Sequence, residues 1–110
     1  MTIRDFRYLV AVAECLNFHQ AAHRCHARQS TVSIQLRKLE DYLGIHCFDR
    51  GHGSVRITGE GRECVRQARI LLAAFDAMRA IAAGRVEALA AVAVQGRQSA
   101  LSRRRPEGEQ

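Results

Sequence analysis

Side chains able to touch a polyanion concentrate in one stretch of this chain, Phe18 to Leu43, FHQAAHRCHARQSTVSIQLRKLEDYL. Up to Leu39 it carries Arg24, Arg28, Arg37, Lys38 and three histidines, with no acid. With Val32 at the centre of a buried helical face and a turn of about 100° per residue, Ser30, Ile34, Arg37 and Asp41 fall opposite. Ser33 and Lys38 flank them. A helix docked in a DNA groove reads bases through its N-terminal part. That makes Arg28, Gln29, Ser30, Thr31, Ser33, Ile34 and Gln35 the base-side set, with Arg37 and Lys38 placed for phosphates. Gln29 can bond an adenine edge in two places, and Ile34 can meet a thymine methyl. Each also has a plainer role, Gln29 as a helix cap and Ile34 as an ordinary exposed apolar residue.

Such a surface needs elements to hold it. Phe6, Leu9, Val10 and Ala13 recur at helical spacing and predict a helix from about Ile3 to Cys15. Asn17 caps a second, from Phe18 to about Cys25, whose inner face is Phe18, Ala21, Ala22 and Cys25. His26 to Arg28 make a turn, and a third helix follows to Tyr42 or Leu43. Its buried stripe is Val32, Leu36, Leu39 and Leu43, and Gly44 ends it as a left-handed cap. Ile45, Cys47 and Phe48 read as extended and inward, Gly51 to Ser54 as a turn, and Val55 to Ile57 as a strand. This small wing offers Arg50, His52 and Arg56 to a DNA backbone or minor groove; the plainer alternative is a solvated hairpin. Thr58 caps a long helix with Glu60 in its first turn. Along it Gly61, Cys64, Ala68, Leu71, Phe75, Met78 and Ala82 alternate at three and four residues, a heptad seam. Ile70, Ala74, Ala77 and Ile81 make a second apolar line. One line suits the chain's own domain and the other a partner, which predicts a homodimer through Cys64, Ala68, Leu71, Phe75, Met78 and Ala82.

The fold class expected is mainly α: a winged helix-turn-helix of three helices and a two-stranded wing over residues 1–58, then a dimerisation helix over 59–84. Residues 85–110 are expected to be a helix extension and a disordered charged tail. The 110 residues suffice for one compact domain plus an extension. The net charge is +6, and Lys38 is the one lysine among 17 basic residues. A high-GC genome explains the choice of Arg over Lys, though not where the charges sit. No stretch is long and apolar enough for a membrane span, and the start does not read as a signal peptide. A cytoplasmic protein is expected, with Cys15, Cys25, Cys47 and Cys64 as reduced thiols. No nucleophile elbow, phosphate loop or paired acid and base is visible, so no enzyme and no cofactor are expected.

Several positions together match a known pattern: Phe18 with Ala21-Ala22, Gln29, Val32-Ser33, Gln35-Leu36, Leu39-Glu40, Leu43-Gly44, Phe48-Asp49-Arg50 and Thr58. From Met1 to about Ala83 the chain resembles the LysR-type transcriptional regulators, and its opening IRDFRYLVAVAE and its RKLEDYLG run look most like their peroxide-sensing branch. The resemblance implies double-stranded promoter DNA as partner, an interrupted palindrome as site, the third helix in the major groove and the wing along the minor groove. Carried over by position, Gln29, Ser30, Thr31, Ser33, Ile34, Arg50 and Arg56 would be the contacts. Three departures stand out. Arg28-Gln29-Ser30 replaces the usual Ser-Gln-Pro, Gly53 stands where relatives carry a wing Arg, and Thr58-Gly59-Glu60-Gly61 replaces Thr-x-Ala-Gly. The effector-binding domain expected after the linker helix is not seen in the residues after Gly84. Two other readings compete. The long helix could pair with a full-length relative and block it. Alternatively His19, His23, Cys25 and His26 could form half the metal site of a metal-sensing repressor, although the spacing completes no ligand set.

Overall fold

The computed structural model describes residues 1–84. Helix α1 (Ile3–Cys15) opens on Thr2, whose N–H donates to the Asp5 carboxylate at 3.0 Å. It ends on Leu16 in a left-handed conformation, φ 49°. Helix α2 (Phe18–Arg24) starts where expected, because the Asn17 side chain accepts the Gln20 N–H at 2.9 Å. Helix α3 (Gln29–Leu43) follows the turn and stops at Gly44, φ 70°, whose N–H donates to the Glu40 carbonyl at 2.8 Å. Strands β1 (Phe48–Asp49) and β2 (Arg56–Ile57) pair antiparallel, Phe48 opposite Ile57 and Asp49 opposite Arg56. Between them Gly51–Gly53 form one 3-10 turn, tighter than the plain loop expected. Helix α4 (Gly59–Ala82) runs for 24 residues.

The chain divides into two compact units, and the first extends from Met1 to Leu72, taking in the first half of α4. Its core joins Leu9 and Val12 of α1, Ala21 and Ala22 of α2, Val32, Leu36 and Leu39 of α3, Cys47 and Phe48 of the wing, and Val65 and Ala68 of α4. Two sequence expectations shift here. In α1 the deepest residues are Asp5, Tyr8, Leu9, Ala11 and Val12, while Phe6, Val10 and Ala13 are half-buried. The reason is that α1 is covered by both α2 and α3, so its buried arc is wider than one stripe and centred elsewhere. In α3 Leu43 is 43% exposed, and the last turn is held inward by Glu40 instead.

The entry into α4 is closely packed against the chain before β1. The Thr58 hydroxyl accepts the Gly61 N–H at 2.9 Å and donates toward the carbonyls of His46 and Cys47, and the Thr58 N–H donates to the Cys47 carbonyl at 2.9 Å. A Cβ on Gly61 would stand 2.2 Å from the Cys47 carbonyl oxygen, so only glycine lets the helix and the residue leading into β1 approach so closely.

Candidate nucleic-acid interface

The outward face of α3 carries the predicted residues with their side chains free to reach out. Arg28, Gln29, Ser30, Ile34, Arg37 and Lys38 are exposed, and Thr31 and Ser33 are half-buried along its edges. Ile34 is 54% exposed, an apolar side chain left in a polar neighbourhood. Arg28 precedes the first turn in an extended conformation and its side chain makes no cap hydrogen bond. Gln35 is half-buried and, with Lys38, lines a groove against the start of α1 beside Met1, Asp5, Leu39 and Tyr42. It therefore lies to one side of the base-facing set.

The wing presents its two arginines differently. Arg56 is exposed on β2. Arg50 turns inward: its Nη2 donates to Glu40 Oε1 at 2.9 Å, and its guanidinium lies 5.2 Å from the centroid of the Phe18 ring. Phe18 in turn meets Phe48 edge-on, with centroids 6.4 Å apart. Arg50 Nε is buried without a hydrogen-bond partner. Arg50 is thus placed with its guanidinium on a buried carboxylate, whereas Arg56 points to solvent. Glu40 is the residue that sequence reasoning passed over. Its Oε2 accepts the Cys47 N–H at 2.7 Å and the Phe48 N–H at 3.2 Å. The available signal was an acid on the inner side of a helix, next to Leu39 and one turn after Leu36, which demands a buried partner.

Not every basic group of the stretch belongs to the outward face. Arg24 is paired with Glu14 of α1, which also accepts from Arg69 of α4 at 2.7 Å. The two arginines, Arg69 foremost, hold the Glu14 carboxyl below its usual range. Burial, with the Cys64 thiol and the Glu40 carboxylate nearby, pushes the Cys47 thiol up to about 12. Burial also raises Cys25. His19 and His23 border a shallow depression with Cys15, Gln20 and Arg24. Among the described residues no three His, Cys, Asp or Glu come together in a way that could hold a metal ion. No helix among them is long and apolar enough to cross a membrane.

On α4 the residues expected to dimerise separate into two groups. Ala68 is buried and Cys64 half-buried, both against the chain's own core. Leu71, Met78 and Ala82 are exposed and Phe75 is half-buried. From the other apolar line, Ile70 and Ile81 are 56% and 50% exposed.

Three packed helices, a two-stranded wing and a basic, acid-poor outward helix face define a winged helix-turn-helix protein. Residues 3–62 match the bacterial regulatory helix-turn-helix proteins of the LysR family, and the chain belongs to that family. It is 43% identical over 89 residues to the hydrogen peroxide-inducible genes activator of Dickeya chrysanthemi, covering 81% of this chain and 29% of that protein. It is 42% identical over 89 residues to the DNA-binding transcriptional dual regulator OxyR of Escherichia coli K12, again covering 81% and 29%. The chain thus spans less than a third of the length of these relatives. Among solved structures it resembles a full-length OxyR variant from Pseudomonas aeruginosa at TM-score 0.74 and 39% identity, over 76% of this chain and 28% of that one. It also resembles the BenM DNA-binding domain in complex with catB site 1 DNA, at TM-score 0.71 and 35% identity, over 78% and 96%. The chain contains a LysR-type helix-turn-helix DNA-binding domain.

Proposed function

We propose that this chain binds double-stranded promoter DNA sequence-specifically as a homodimeric transcriptional regulator in the cytoplasm. The observation that carries the reading is the outward face of α3, where Arg28, Ser30, Ile34, Arg37 and Lys38 are all exposed. In the docking that this face supports, Arg28, Gln29, Ser30, Thr31, Ser33 and Ile34 meet base edges in the major groove. Arg37 and Lys38 neutralise phosphates, and Arg56 brings the wing to the flanking backbone or minor groove. Gln35 sits at the margin of this surface. Two such faces on one duplex read an interrupted palindrome whose half-sites mirror the dimer's two-fold axis.

The dimer is supported by α4. Ile70, Leu71, Met78 and Ile81 are large apolar side chains exposed on one helix, more than a lone helix leaves in water without a partner. Leu71, Phe75, Met78 and Ala82 remain as the partner seam, joined by Ile70 and Ile81, whereas Cys64 and Ala68 already serve the chain's own core.

Selection of duplexes from a random-sequence pool by the purified chain tests the reading. An enriched palindromic sequence bound at least about 10³-fold more tightly than a scrambled duplex is expected. Sedimentation equilibrium is expected to give a dimer that Met78→Glu dissociates. Equal affinity for all duplexes would refute specific binding, and a monomer at micromolar concentration would refute the dimer.

A further inference from the structure

We propose that Glu40 and Arg50 are a positioning pair that fixes the wing to α3, and that Arg50 contributes orientation rather than charge to DNA binding. The proposal rests on the DNA-binding function above. Glu40 is 6% exposed, in the last turns of the helix that would lie in the groove. Its backbone carbonyl accepts the N–H groups of Gly44 and Ile45 at 2.8 and 3.1 Å. Its carboxylate accepts those of Cys47 and Phe48, and then Arg50. One residue of α3 therefore bonds the chain at Gly44, Ile45, Cys47, Phe48 and Arg50, along the path from helix end to wing.

Arg50 completes the arrangement from the other side. Its guanidinium is bonded to Glu40 and lies over Phe18, the first residue of α2. Swinging it out to a phosphate would strip a buried carboxylate of its cation and uncover the Phe18 ring, and removing one partner of a buried ion pair is strongly unfavourable. The neighbouring charge on the wing, Arg56 on β2, has an exposed side chain. The division of labour follows: Arg56 attracts phosphate, and the Glu40–Arg50 pair sets where Arg56 stands relative to the bases under α3. That distance decides which half-site fits both elements at once.

The test measures affinity for the duplex enriched by the wild-type chain and for a scrambled duplex, across a salt series, using full chains. Arg56→Ala is expected to lower the slope of log affinity against log salt by about 0.9, the value of one phosphate contact. Arg50→Gln is expected to leave that slope unchanged while the ratio of the two affinities falls about tenfold, as for one misread base pair. Glu40→Gln is expected to lower the ratio similarly, and the double variant no further. Arg50→Lys separates the roles even where Arg50→Gln fails to fold. It keeps the charge but lacks the planar fork, so positioning predicts a lost ratio and phosphate contact predicts a retained one. In the free chain, amide exchange at Cys47 and Phe48 is expected to speed up in Glu40→Gln and Arg50→Lys. A selective wild type combined with a slope drop in Arg50→Gln, additive with Glu40→Gln, would overturn the positioning role alone. A wild type that does not distinguish the duplexes would overturn the DNA-binding function and this role with it.

Discussion

Gly61 offers a test in which local propensity and packing predict opposite signs. Inside a helix, Gly→Ala ordinarily stabilises by about 1 kcal/mol, since alanine has fewer unfolded conformations to give up. At Gly61 the new methyl would meet the Cys47 carbonyl oxygen at 2.2 Å and its carbonyl carbon and Cα at 3.0 Å. All three are backbone atoms, so no side chain can turn aside. Overpacking of this kind costs about 1–3 kcal/mol, and a contact this short belongs at the upper end. Set against the gain in propensity, the net expectation for Gly61→Ala is about 2 kcal/mol of destabilisation, or roughly 8–16 °C in Tm for a domain of this size. Gly59→Ala is the internal control. It lies in the same first turn of α4, and a Cβ there meets nothing within 4 Å. It should gain up to about 1 kcal/mol. Thermal and urea melts followed by circular dichroism, at one chain concentration so that association does not confuse the comparison, give both numbers. If Gly61→Ala proves as stable as Gly59→Ala, the close approach of α4 to the Cys47 backbone is not there.

Three further outcomes are expected. Because Arg69 and Arg24 depress the Glu14 carboxyl, its contribution is present above the ordinary value of 4.5 and fades as pH falls through the lower folded-state value. Urea midpoints should therefore drop on acidification, and drop less in Glu14→Gln; equal acid limbs would show the Arg69–Glu14–Arg24 bridge to be inert. With its thiol near 12 and no exposed surface, Cys47 should resist iodoacetamide at pH 8 in the folded chain and react only in guanidinium, as read by mass mapping. Labelling as fast as that of half-buried Cys15 would contradict the burial. Asn17→Ala should lose about 1 kcal/mol by freeing the Gln20 amide, and no change in the melt would mean the cap is not formed in solution.

The features legible in the sequence are those encoded over a few neighbouring residues. Asn17, Gly44 and Thr58 each mark a helix end because a cap is a contact over three or four positions, and all three appear as expected. Val32, Leu36 and Leu39 show the inner face of α3, and so by subtraction its outer one. What the sequence did not display depends on which surfaces meet. The period of α4 shows apolar lines but not that Val65 and Ala68 are taken by the chain's own core. The pairing of Arg50 is not legible either, because its partner is ten residues away and the ring it lies over, Phe18, is on another helix. Glu40 is marked by its place beside Leu39, but its partners show only once the backbone amides of Cys47 and Phe48 are seen to converge on it.

The Thr58 hydroxyl touches the start of α4 through the Gly61 amide and the approach to the wing through the carbonyls of His46 and Cys47. A single group shared in this way ties the fraying of one to the fraying of the other. If the first turn of α4 unwinds, the hydroxyl loses the amide that orients it, and its grip on the His46–Cys47 segment loosens. If that segment lifts, the cap is lost and the helix start opens. The cap of α4 and the approach to the wing are therefore coupled at this corner through one hydroxyl. The approach to the hairpin that carries Arg56 is thus anchored on a helix to which the hairpin does not belong.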